Sequence, residues 1–165
     1  MPPSEHAYHR SVAPMMWMFF VIACMELLVT HFLVSLWDWR IALALSLVTL
    51  AGIVWLGRVI ASFRRLPVLV GEGDVLMRAG RLRSLRVPLD AIAEVRTQWV
   101  RGEAKARETL DFALLAYPNV MVELRAPLAG RRGVRRVTHR FDDPVAFHAA
   151  LLAAVEARVT RASAA

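Results

Sequence analysis

Two apolar stretches separated by only three residues constrain this chain more than anything else in it. The first covers residues 15–37 and the second residues 41–60, and between them lie only Asp38, Trp39 and Arg40. At ~1.5 Å per helical residue the stretches reach about 34 Å and about 30 Å, enough for a hydrocarbon core of ~30 Å. A three-residue link forces the two helices into a tight antiparallel hairpin. Pro14 is placed to start the first helix, and Trp17, Trp37 and Trp39 stand where an aromatic belt would lie. A cleaved signal peptide fits the first stretch poorly. Its apolar part is far longer than ~7–15 residues, and no A-x-A-like site follows it.

The composition agrees. The chain is 57% hydrophobic and 21% charged, with a mean hydropathy of +0.43, against ~45–50% and ~25% for soluble domains. Such hydrophobicity excludes a disordered chain. A single cysteine, Cys24, excludes a disulfide-stapled miniprotein. Charge sets the orientation: Arg10 precedes the hairpin and Arg58, Arg64 and Arg65 end it, while Arg40 in the link is balanced by Asp38. The positive-inside rule then places both termini in the cytoplasm. The division expected is a cytoplasmic tail (1–14), a transmembrane hairpin (15–60) and a cytoplasmic domain (61–165).

Beyond Leu66 the pattern becomes short alternating runs broken by turn residues, a β-rich texture. Strands are expected over 67–70, 75–78, 82–89, 95–99, 110–114, 120–124 and 134–141. Asp143 can then cap a final helix with Pro144 at its first position. Phe147, Leu151, Val155 and Val159 give that helix an apolar stripe. Residues 66–165 therefore carry enough apolar faces to fold without the hairpin.

About seven strands followed by one amphipathic helix resembles the bacterial pleckstrin-homology-like domain. The resemblance rests on DVLMRAGRLRSLRVPLDAIAEV (74–95) and FDDPVAFHAALL (141–152) and covers roughly residues 66–160. It implies an α+β chain whose hairpin precedes a bent β-sandwich plugged at one end by its last helix. The family implies a binding or scaffolding module and supplies no catalytic residues. The alternative architecture is a small α+β domain with one antiparallel sheet.

Enzyme signatures are missing. Gly71-Glu72-Gly73 opens like a dinucleotide loop, but Leu76 stands where its third glycine should be. There is no phosphate-loop, zinc-protease or nucleophile-elbow motif. His6 and His9 lack further ligand partners, and His139 and His148 read as surface or satisfied core histidines. Asp142-Asp143 reads as a helix start rather than a carboxylate pair. No catalytic residue, metal or cofactor is expected.

Charge and membrane depth remain. The net charge is +7, and two runs are free of acids. One carries Arg78, Arg81, Arg83 and Arg86; the other carries Arg125, Arg131, Arg132, Arg135, Arg136 and Arg140. Hung beneath an anionic inner leaflet, such arginines would gain about 1 kcal/mol each from lipid. Tethering and interspersed acids disfavour nucleic acid as partner. Within the bilayer, Glu26 and His31 are costly unless paired, protonated or wetted. Depth counting sets Glu26 opposite Ala51-Gly52, near Thr49, and His31 opposite Ser46. Ala42, Ser46, Thr49 and Gly52 form a small polar stripe suited to close packing. The reading is a bacterial inner-membrane adaptor that binds other membrane proteins or anionic lipid. The alternative is a homo-oligomeric channel or transporter subunit using Glu26 and His31.

Overall fold

Asp38 starts the second helix of the hairpin: its carboxylate accepts the Arg40 N–H at 2.8 Å, filling the role of an N-cap. The computed structural model describes residues 3–100, 102–128, 130 and 133–163. Helices α1 (His9–Ser35) and α2 (Trp39–Arg65) run antiparallel from that turn. Their register is shown by two contacts. His31 hydrogen-bonds Ser46 at 2.7 Å, and a Cβ on Gly57 would lie 3.5 Å from Phe20; each pair of numbers sums to 77. Ala42, with no exposed surface, and Ile53 continue the seam. Gly52 does not belong to it, since nothing lies within 4 Å of its Cβ position. Both helices are long and apolar enough to cross a membrane, and only 6% and 17% of their most apolar windows are buried. A core helix of a soluble protein would be mostly covered.

Each helix extends past its expected limit at the end away from the turn. Helix α1 begins six residues before residue 15 because a carboxylate far along the chain caps it. Asp142 accepts the Arg10 N–H at 3.1 and 3.2 Å, and its own N–H donates to the Ala7 carbonyl at 2.9 Å. Pro14 therefore sits inside the helix. Helix α2 runs on to Arg65, ending where Pro67 follows.

The remaining chain makes two four-stranded sheets and a helix. The first sheet has the order β1 (Ser4–His6), β2 (Val68–Val70), β3 (Asp74–Ala79), β4 (Arg83–Pro88), all antiparallel. In β3, Val75, Met77 and Ala79 point inward, and in β4 Leu85 and Val87 do, the period-2 burial of a half-wet sheet. The second sheet has the order β5 (Ile92–Arg96), β7 (Val120–Leu124), β8 (Arg136–His139), β6 (Thr109–Asp111). Here β6 lies parallel to β8. Helix α3 (Pro144–Ser163) follows, with Asp143 accepting the Ala146 N–H at 2.9 Å. Phe147 and Leu151 are fully buried while Val159 is 57% exposed. The stripe packs through Phe147 and Leu151 and, half-buried, Val155, each fully buried side chain contributing about 1.5–3 kcal/mol.

Several expectations change. Two sheets replace the single-sheet alternative, and the described residues hold eight strands because the N-terminal segment supplies one. Residues 4–6 pair with β2, Ser4 opposite Val70 and His6 opposite Val68, so the described part of the segment expected as a tail belongs to the fold. Strand β5 stops at Arg96, whose guanidinium bonds Glu123 at 2.8 Å and Glu103 at 3.4 Å. Beyond it Trp99 leaves the sheet to stack on Tyr117. The last strand is confined to four residues, since Phe141 and Asp142 turn toward α3 and α1. One continuous core holds the strand residues together with Tyr8, Val12, Val59 and Phe63 from the base of the hairpin.

Candidate functional site

The junction between hairpin and sheets is built around Tyr8, only 1% exposed although it lies in a largely polar stretch between Glu5 and Arg10. Its hydroxyl donates to the Leu66 carbonyl at 2.9 Å and accepts the Gly80 N–H at 2.6 Å. Burial pushes the phenol up to about 12, against the Gly80 N–H and the Arg78 charge, which pull it down. Gly80 has φ +53°, and a Cβ there would meet Phe63 Cδ1 at 2.8 Å and Ser62 Oγ closer still. Only glycine lets the β3–β4 turn close onto α2. Ser62 completes the contact: its hydroxyl donates to the Val59 carbonyl at 2.6 Å and accepts the Arg81 N–H at 3.0 Å.

His139 joins the two sheets beside this clasp. Its Nδ1 accepts the Arg140 N–H at 2.8 Å, so Nε2 carries the proton and donates to the Arg78 carbonyl on β3 at 2.8 Å. Its ring stacks on Phe141 and meets the edge of Tyr8, with centroids 4.6 and 4.8 Å apart. Phe141 stacks in turn on Phe147 at 3.8 Å. Burial holds the imidazole below its ordinary 6.5, outweighing the carbonyls of Arg78 and Arg140 and the charge of Asp111, which raise it. This is a satisfied core histidine. Among the described residues no three His, Cys, Asp or Glu side chains are grouped to hold a metal. His6 meets the edge of the Phe147 ring, and His9 lies 3.7 Å from Asp142.

Within the hairpin, His31 and Ser46 meet as depth counting expects. Glu26 does not meet Thr49, whose hydroxyl turns back to the Leu45 carbonyl at 3.0 Å. Glu26 is exposed on the outer surface of α1 with no hydrogen bond or ion pair to any described residue. Five residues separate it from His31, about 140° around the helix, so the two groups serve different faces.

The arginines do not form two unopposed patches. Arg86 lies 3.8 Å from Asp74 and Arg136 lies 3.3 Å from Glu123. Arg83, Arg125 and Arg140 donate to the carbonyls of Asp111, Ile92 and Tyr117. Arg78 and Arg86 share the outer face of the first sheet, and Arg135 is exposed just before β8. Arg131 and Arg132 lie outside the described residues. Arg81 alone of the first run is carried to the end of α2, by the Gly80 turn. Tyr8, Ser62 and Asp142 escaped sequence reasoning because their partners are 58, 19 and 132 residues away; only Gly80, a glycine between two alternating runs, signalled a required turn. Comparison with protein-family models, curated proteins and solved structures gave no match at any of the three levels.

Proposed function

We propose that the protein is a non-enzymatic integral membrane adaptor of the bacterial cytoplasmic membrane. Its hairpin engages other membrane proteins, and its domain, held on the cytoplasmic side with both termini, binds a protein partner or anionic lipid. The observation that carries this reading is the shared core: Tyr8 and Val12 before the first span and Val59 and Phe63 at the end of the second pack with the strands. The domain is thereby fixed to both ends of the hairpin instead of swinging from one linker. A partner gripping the helices then sets the position of the domain.

Two further features support it. The two sheets with α3 packed by Phe147 and Leu151 accord with a pleckstrin-homology-like sandwich, although the parallel β6–β8 pair departs from a simple antiparallel meander. The outward carboxyl of Glu26 calls for a group from another membrane helix, because an unpaired charge in hydrocarbon is expensive. The channel alternative draws less support, since His31 is occupied by Ser46 in the seam while Glu26 faces away from it.

Native mass spectrometry of the protein extracted gently from its own membranes tests the proposal. The expected result is a hetero-complex containing at least one other membrane protein. A closed ring of this chain alone would reject the adaptor reading in favour of the channel.

A further inference from the structure

Arg58, Ala61, Ser62 and Arg65 lie at i, i+3, i+4 and i+7 of α2 and so share one face of its final two turns. Together with Leu66 and Arg81 they line an open cleft of about 300 Å³, the lower end of the size range for small-ligand pockets. Arg81 comes from the β3–β4 turn, which the Ser62 hydroxyl holds by the Arg81 N–H at 3.0 Å. Ser62 lies between Arg58 and Arg65, so the third arginine enters beside the middle of the stripe. No acid lines the cleft. The side chains of Arg58, Arg65 and Arg81 are all exposed and make no hydrogen bond or ion pair with a described residue. That sets them apart from Arg83, Arg86, Arg125, Arg136 and Arg140, each held by a carboxylate or carbonyl.

Three guanidiniums kept together without a counter-charge repel one another, and the fold positions them there through a glycine that no other residue could replace. Arg58 and Arg65 are about 10 Å apart along the helix axis. Trp17, at the same end of the hairpin, is exposed as an interfacial anchor would be. The cleft thus opens where the spans leave the hydrocarbon. Guanidinium groups present paired donors that match the oxygens of a phosphate.

We propose that Arg58, Arg65 and Arg81 form a binding site for a phosphate group. The site rests on the membrane-adaptor reading for its depth and goes beyond it in naming the ligand chemistry and the residues. A phosphate diester of an anionic phospholipid and a free phosphate anion offer the same oxygens, and the experiment separates them.

The full chain is purified in a neutral detergent and titrated with dioleoylphosphatidylglycerol, or with dioleoylphosphatidylcholine as the zwitterionic control, while native mass spectrometry counts retained lipid. One phosphatidylglycerol per chain is expected to survive detergent removal in the gas phase, with phosphatidylcholine lost. The variant R58Q/R65Q/R81Q should bind phosphatidylglycerol at least tenfold more weakly. R83Q/R86Q/R135Q, which removes equal charge elsewhere, should bind as the parent does. Unchanged binding in the first variant, or equal loss in both, overturns the proposal. Excess inorganic phosphate that displaces the lipid assigns the site to the free anion; failure to displace assigns it to the headgroup. All substituted side chains are exposed, and Arg81→Gln alone, which keeps the backbone bond to Ser62, should give a smaller loss in the same direction. Failure of the membrane reading shows separately, as a chain that stays dispersed without detergent.

Discussion

The hydroxyl of Tyr8, the residue before α1, donates to the carbonyl of Leu66, the residue after α2, at 2.9 Å. One hydrogen bond therefore ties together the two points where the hairpin leaves and re-enters the domain, and the same oxygen receives the Gly80 N–H. Tyr8→Phe keeps the ring against Phe63 and His139 but leaves a buried N–H and a partly buried carbonyl without their partner. The expected loss is about 1–3 kcal/mol. Denaturant unfolding followed through near-ultraviolet circular dichroism measures it, and a loss below a few tenths would show the clasp to be slack.

Strand β1 makes the domain discontinuous in sequence, so residues 66–165 alone are expected to be less stable than the whole domain. That fragment lacks β1, exposing the edge of β2, and lacks Tyr8, Val12, Val59 and Phe63 from the core. An uncovered edge favours association between chains. A variant joining residues 3–8 to residue 66 through a short Gly/Ser linker restores the strand and the Tyr8 clasp. The linked form should be monomeric and melt at a higher temperature than the bare fragment. Equal melting temperatures would remove β1 from the stabilising set.

Where the sequence was legible, the physics was local. The hairpin follows from length and hydropathy, the alternating burial of β3 and β4 from period 2, and the start of α3 from Asp143-Pro144. The His31–Ser46 pair followed from counting residues outward from a tight turn. What stayed hidden was set by distant partners. Asp142 and Asp143 look alike in sequence, yet Asp143 caps α3 while Asp142 caps α1, 132 residues upstream. Nothing in residues 4–6 marks a strand, because three residues paired to an existing edge need no period of their own. Charge runs also misled: β alternation and nearby acids divide Arg78, Arg81, Arg83 and Arg86 among different surroundings, so their closeness in sequence does not make one patch. Arg81 gains its place only through the Gly80 turn.

His139 makes stability depend on pH. Its folded-state pKa lies below 6.5 because burial opposes the charged form, and His6 is lowered by burial in the same sense. The unfolded chain therefore binds more protons than the folded one just below pH 6.5. Stability is full above that value and falls as the pH drops through it. Melting temperature should fall between pH 7.5 and pH 5.5. His139→Gln removes the titrating group while retaining hydrogen-bonding capacity. It should cost about 1–3 kcal/mol at pH 7.5 and flatten the decline, leaving the part due to His6. A variant with the parent's full pH slope would place the dependence elsewhere.

On the adaptor reading proposed above, Glu26 is the group expected to decide how the hairpin meets its neighbours. Its side chain lies on the outer surface of α1, near the middle of the span, while the seam groups His31, Ser46 and Thr49 are already matched, His31 with Ser46 and Thr49 with the Leu45 carbonyl. Substitution there should leave the isolated chain intact, since no described residue depends on the carboxyl. Effects should appear only in assembly. If Glu26 is a neutral hydrogen-bonding group, Gln preserves the complex and Leu weakens it by about 0.6–2 kcal/mol, the range for interhelical hydrogen bonds in membranes. If it is ionised against a partner's cation, Gln and Leu weaken the complex alike. Co-purification of each variant from native membranes, with the melting temperature of the isolated chain measured beside it, separates these cases. A complex indifferent to both substitutions, or Glu26-dependent proton flux in liposomes holding this protein alone, would remove Glu26 from partner contact.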